Sequence, residues 1–134
     1  MLNPEEPILC YDLGNLYKMK GKFDQAINHY QKAIALNSEF PEALYHLARL
    51  YIKRDEYEKA LQLYQEMLTF LPDNPTVHYN IACIYAQQNR LKESITWLKR
   101  AVAKGFADWE LIKSDSDLNN IRGSLPYEEF IKGH

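Results

Sequence analysis

The chain has 134 residues, a formal net charge of −2 and a quarter of its residues charged, which suits one compact domain able to bury a core without staples. This balance excludes an electrostatic case for nucleic acid or an anionic membrane as the main partner. Two cysteines, Cys10 and Cys83, lie far apart without CxxC spacing, which argues against a metal site and fits a reducing compartment. No N-terminal apolar run reads as a signal peptide, and no stretch is long and apolar enough to span a bilayer. A soluble, cytoplasmic protein is the expectation.

Met1 to Glu6 reads as a short polar lead, with Pro4 and Pro7 both suited to a first helical turn. A helix is expected from near Glu6 to about Lys20, with Ile8, Leu9 and Cys10 entering the core. Gly21 ends it with a left-handed residue. A second helix, about Asp24 to Asn37, carries Ala26, Ile27, Tyr30, Ala33 and Ile34 on one buried face, with Gln25, Asn28, Gln31 and Lys32 outward.

The pattern then returns with a shift of 34 residues, the length of a two-helix solenoid unit. Leu13-Gly14 and Tyr17 become Leu47-Ala48 and Tyr51, then Ile81-Ala82 and Tyr85. Ala26, Tyr30 and Ala33 become Ala60, Tyr64 and Met67, then Ser94, Leu98 and Ala101. Gly21 becomes Asp55 and Asn89, types that tolerate the left-handed conformation. Pro41 and Pro75 open the later repeats, and Pro72 stops the helix before it. The repeats run about 7–40, 41–74 and 75–108.

Beyond Gly105 the frame fails, since Asp115-Ser116 stands where Leu-Gly belongs. The region about 107–132 reads as two or three short helices capping the stack, because terminal repeats must cover an apolar face. Ser116 or Asp115 caps one helix and Pro126 starts another. Gly133-His134 reads as a frayed end. Trp97 lies off the core column, either under the cap with Trp109 or exposed as a second contact surface.

These residues carry a resemblance. Leu13-Gly14, Tyr17, Gly21, Phe23, Ala26, Tyr30 and Ala33, repeated in register and closed by Pro72, resemble the tetratricopeptide repeat over about 7–108. The tail is similar to the ending of many bacterial members. The departures are Ser38 and Phe106 for proline, Ser94 for alanine, and Asp55 and Asn89 for glycine. The resemblance implies an all-α, right-handed superhelix of helix pairs in one domain, 1–134, whose first helices line a concave groove that binds protein segments. It implies no cofactor and no catalysis.

Carried over by position, the groove residues are Tyr11, Asp12 and Asn15, then Tyr45, His46, Arg49 and Lys53, then Tyr79, Asn80, Cys83 and Gln87. Tyr11, Tyr45 and Tyr79 form a ladder suited to peptide contact, although the same types also pack along the inner helix layer. Arg49 and Lys53 make the middle of the groove basic and able to pair with acidic groups. The family's clamp for the C-terminal carboxylate of heat-shock chaperones is mostly missing: Asn15 matches, but Tyr11, His46, Thr76 and Asn80 stand where other clamp residues belong.

Cys83, His46 and Asn80 form a nucleophile pattern on paper, but an open surface supplies no oxyanion donor. The four histidines fall in different columns, so no metal site is expected. The function expected is a non-catalytic module that binds a peptide or protein segment, of acidic character, as a monomer or with weak self-association. A self-associating scaffold or a chaperone-like adaptor is the alternative.

Overall fold

The computed structural model describes residues 5–134, so the expectations for residues 1–4 lie outside it. Among the described residues there are only helices and turns. They are α1 (Glu6–Met19), α2 (Phe23–Leu36), α3 (Pro41–Lys53), α4 (Tyr57–Phe70), α5 (Pro75–Gln87), α6 (Leu91–Ala103), α7 (Trp109–Ser114) and α8 (Leu125–Ile131), with a 3₁₀ turn at Ser116–Leu118. The helices fall in two compact units, Met1–Phe70 and Leu71–His134. None is long and apolar enough to cross a membrane.

One device ends the first helix of every repeat. The residue after the last helical turn has positive φ: Gly21 at 73°, Asp55 at 58°, Asn89 at 60°. The next amide donates back to a tyrosine carbonyl, Lys22 to Tyr17, Glu56 to Tyr51 and Arg90 to Tyr85, at 2.9, 2.9 and 2.8 Å. A second bond runs from the left-handed residue's own amide to the carbonyl three residues back. This paired pattern is the Schellman motif, which satisfies carbonyls that a helix end leaves open. It closes α6 too, at Gly105 and Phe106. The sequence column of Gly, Asp and Asn is therefore a turn requirement.

In the first unit, α1 packs on α2, and α3 packs on both α2 and α4. Tyr30 and Tyr64 are completely buried between the helices. The helices approach closely at Gly14: a Cβ there would stand 2.6 Å from the Tyr30 ring. Two expectations for α1 fail. Ile8 and Leu9 are 53 % and 60 % exposed, and Cys10 is half-buried. Pro7 and Gly14 are the residues that α1 buries, so its inward face lies about half a turn from the Ile8–Leu9 pair.

In the second unit, α5 pairs with α6, the 3₁₀ turn packs on α5, and α8 packs on α6. Asn74 caps α5 by accepting from the Val77 amide at 3.1 Å. Ser94, a departure from alanine, is fully buried and donates to the Ala82 carbonyl at 2.8 Å, so its hydroxyl is satisfied. The cap is built as read: Ile112, Leu118, Ile121 and Tyr127 close over Ile95, Leu98 and Ala101. Asp115 caps the 3₁₀ turn through the Asp117 amide, and Ser124 caps α8 ahead of Pro126. Arg122 donates to the carbonyls of Ile112 and Asp115, at 3.1 and 2.8 Å, tying the cap's turns together.

The terminal residue is not frayed. His134 stacks on Trp109 with ring centres 3.8 Å apart. Trp97 is half-buried against the same core, tilted on His78 and covered by the Arg100 guanidinium. Trp97 and Trp109 thus both belong to the capped core, which leaves no bare tryptophan at that end.

Candidate functional site

The first unit holds a surface groove of about 430 Å³, lined by Lys18, Phe23, Tyr45, His46, Arg49, Leu50 and Lys53. Four of these, Tyr45, His46, Arg49 and Lys53, are groove residues by position. They meet because the α3 spacing of 45, 46, 49 and 53 repeats with the turn of a helix. Lys18 and Phe23 come from α1 and α2 and were not among the expected residues. Lys18 follows Asn15 by three and shares its face, which was the available signal. Phe23 was read only as part of the repeat's packing columns.

Three cations converge here, and no carboxylate lines the groove among the described residues. Lys53 lies over the Phe23 ring at 4.8 Å. Lys18 donates through Nζ to His46 Nδ1 at 3.1 Å, so the imidazole is neutral and carries its proton on Nε2. Burial, and then the Lys18 ammonium, hold His46 below its ordinary value of 6.5, with Glu42 pulling the other way. The ring is also boxed by Tyr11, Tyr30 and Tyr45, at 5.7, 6.0 and 5.3 Å.

A depressed histidine stabilises the fold where it is neutral. The unfolded chain takes a proton as pH falls through 6.5, and folded His46 resists it, so the contribution is full above that pH and lost below it. His46→Gln is expected to flatten the fall in stability between about pH 7 and about pH 5, read as urea midpoints.

The remaining α1 positions are placed differently from the ladder reading. Tyr11 is half-buried and packs on Tyr30, Phe40 and His46. Asn15 accepts from the Tyr30 hydroxyl, which is pushed up to about 12 by burial and then by Tyr11. Asp12 is exposed and does not line the groove. Tyr45 is the exposed rung, at 37 %.

In the second unit the third rung turns inward. Tyr79 is buried, stacks on Phe106 at 4.3 Å, and donates to Asp115 Oδ2 at 2.6 Å. Burial, with Cys83 and Asp115 beside it, raises the phenol strongly. Cys83 is buried too, and its sulfur lies within 4.8 Å of carboxylate oxygens of Asp115 and Asp117. Asn80 is half-buried. The physical reason is the cap: it lies on α5 and covers the column that α3 leaves open. Cys83 therefore keeps company with Tyr79 and two aspartates in the second unit, and His46 with Lys18 and three tyrosines in the first.

Paired helices in register, with first helices closed by the same turn, define a helical repeat protein. Two tetratricopeptide repeat models match the chain, over residues 11–75 and 54–114. The chain belongs to the tetratricopeptide repeat family, whose fold mediates protein–protein interaction and whose members are generally non-catalytic. Among solved structures it is similar to MamA, at 27 % identity and a TM-score of 0.69 over 77 % of this chain and 60 % of that one. The chain thus spans about three-fifths of that structure's length. It shares the fold of the N-terminal domain of stress-induced protein-1 from C. elegans, at 21 % identity, TM-score 0.73, over 84 % and 94 % of the two chains. It shares it also with the first repeat domain of Spaghetti (RPAP3) bound to the HSP90 peptide SRMEEVD, at 16 % identity, TM-score 0.71, over 90 % and 91 %. No curated protein matches.

Proposed function

We propose that the chain is a non-catalytic binding module whose groove on α3 takes an acidic protein segment. One observation carries the reading: Lys18, Arg49 and Lys53 converge on a groove also lined by Phe23, Tyr45 and Leu50, and among the described residues no acidic side chain lines it. Carboxylates of a partner pair with the cations, and apolar side chains between them rest on the aromatic rings. The peptide SRMEEVD held by the Spaghetti domain is itself acidic, which supports the class of ligand. The cation set here is this chain's own, since the clamp positions Tyr11, His46, Thr76 and Asn80 carry other residues.

Binding is also coupled to protons. A carboxylate beside Lys18 cancels the charge that helps keep His46 neutral, so the complex holds a proton more readily than the free groove. An acidic peptide is expected to bind more tightly near pH 6 than near pH 8.

The test is titration of a fluorescent Glu/Asp-rich peptide and of its Gln/Asn counterpart. The acidic peptide is expected to bind, and Arg49→Glu to weaken it by about tenfold or more, since reversing a charge both removes an attraction and adds a repulsion. The melting temperature is expected to stay within about 2 °C, because Arg49 is exposed. Equal binding of both peptides, or an unchanged affinity in Arg49→Glu, places any partner elsewhere.

A further inference from the structure

The outward face of α1 takes no part in the groove. Ile8, Leu9, Leu16 and Met19 are exposed by 53, 60, 45 and 82 %. On a helix of 3.6 residues per turn, Leu9 and Leu16 fall about 20° apart, with Leu13 on one flank and Met19 and Ile8 on the other. Four large apolar side chains on one face make a patch, which on a monomer marks an interaction surface.

The repeat register says what kind of surface it is. One repeat later the columns of Leu9, Leu13 and Leu16 hold Ala43, Leu47 and Leu50, exposed by only 0, 3 and 3 %. They lie on α3, which packs on α2 and α4. In the third repeat the same columns hold Val77, Ile81 and Ile84, again buried. α1 therefore carries the side chains of a helix-packing face and leaves them in solvent.

The charges beside the stripe are sorted by end. Glu5, Glu6 and Asp12 stand in the first part of the helix, and Lys20 and Lys22 at and just past its end, all exposed. Such a helix is complementary to itself when reversed. In a two-fold contact, residue i meets j and j meets i. With the axis between Asp12 and Leu13, Leu9 meets Leu16 of the second copy, and Glu5 meets Lys20 of the second copy. Ile8 and the second copy's Met19 share one flank, so the Leu9–Leu16 and Glu5–Lys20 pairings both fall in a single register.

We propose that this chain forms an antiparallel two-fold dimer through the Leu9–Leu16 face of α1. The groove stays open in the dimer, because Lys18 lies across the helix from Leu9 and Leu16. The arrangement has one unfavourable feature: the two copies of Asp12 approach each other at the axis, and like charges so placed weaken the contact.

The experiment is sedimentation velocity on the 134-residue chain across a concentration series up to about 1 mM, the range in which small interfaces of about 1,000 Å² become populated. A monomer–dimer equilibrium is expected. Leu16→Glu is expected to weaken it by more than tenfold while leaving acidic-peptide binding unchanged. Glu5→Lys and Lys20→Glu are each expected to weaken it about threefold to tenfold, through two symmetric ion pairs of modest strength. The two reversals together are expected to restore the affinity, and Asp12→Asn to tighten the dimer. Circular dichroism checks that these surface variants fold. A chain that stays monomeric throughout, a dimer indifferent to Leu16→Glu, or a double reversal as weak as either single one overturns the proposal.

Discussion

Leu118→Ala is expected to destabilise the second unit by about 3 kcal/mol, within the range measured for buried leucines cut back to alanine. Leu118 is completely buried on the 3₁₀ turn, among Ile112, Ile121, Tyr127 and Leu98. Its removal loses transfer energy and leaves a hole that the surrounding turns fill only partly. The backbone there cannot collapse freely, because Arg122 ties the carbonyls of Ile112 and Asp115, and Tyr79 holds the Asp115 carboxylate. The matched control is Leu125→Ala: Leu125 is 71 % exposed at the start of α8, and its loss is expected to stay within about 0.5 kcal/mol. Urea unfolding of the two variants checks this. Equal midpoints would mean that the cap contributes little to the stability of the unit.

Gly14→Ala is expected to destabilise the chain by about 2 kcal/mol, the net of an overpacking cost and the roughly 1 kcal/mol that alanine gains in a helix. The new Cβ would lie 2.6 Å from one Tyr30 ring carbon and 2.7 Å from the next. Tyr30 has no room to yield: it is completely buried, with Tyr11 against its ring and its hydroxyl bonded to Asn15. The second repeat places Ala48 and Tyr64 in the same two columns, both completely buried. A tyrosine in this column thus packs against a Cβ in the second repeat. In the first repeat relief requires α1 to back away from α2. Differential scanning calorimetry is expected to show a melting temperature lower by roughly 5–10 °C. An unchanged value would show that α1 moves at little cost.

The structure separates two kinds of residue that the repeat pattern treats alike. Tyr11, Tyr45 and Tyr79 are one column in the sequence, and a column of aromatics suggests a ladder. Their surroundings differ because the repeats have different neighbours. Tyr11 is held by Phe40 and Tyr30, Tyr79 is covered from the side of the cap, and Tyr45 is the most exposed of the three. The register was legible because each turn and each interhelical gap constrains one position every repeat. The use of a column is decided by what lies over it, and that comes from residues distant in the chain.

The same distinction explains the errors at the two ends. Ile8 and Leu9 read as core because apolar residues in a first helix are core in the other two repeats. The column of Leu9 is buried in α3 and α5, as Ala43 and Val77, and bare in α1, whereas the column of Ile8 holds the exposed Glu42 and Thr76 in the later repeats. Gly133-His134 read as a frayed end, yet His134 stacks on Trp109, which itself packs on Phe130.

By itself the sequence determined the all-helical repeat, the helix ends and the presence of a cap, since each depends on local chemistry. The left-handed turn at Gly21, Asp55 and Asn89, the prolines that open helices, and the helical spacing of apolar residues act within a few positions of one another. The tertiary structure alone decided which cations share a groove and which side chains are left outside. Lys18 reaches His46 only because α1 folds back over α2 and meets α3, and Cys83 reaches Asp115 and Asp117 only because the cap lies on α5. Such meetings depend on long-range packing, which no local spacing encodes.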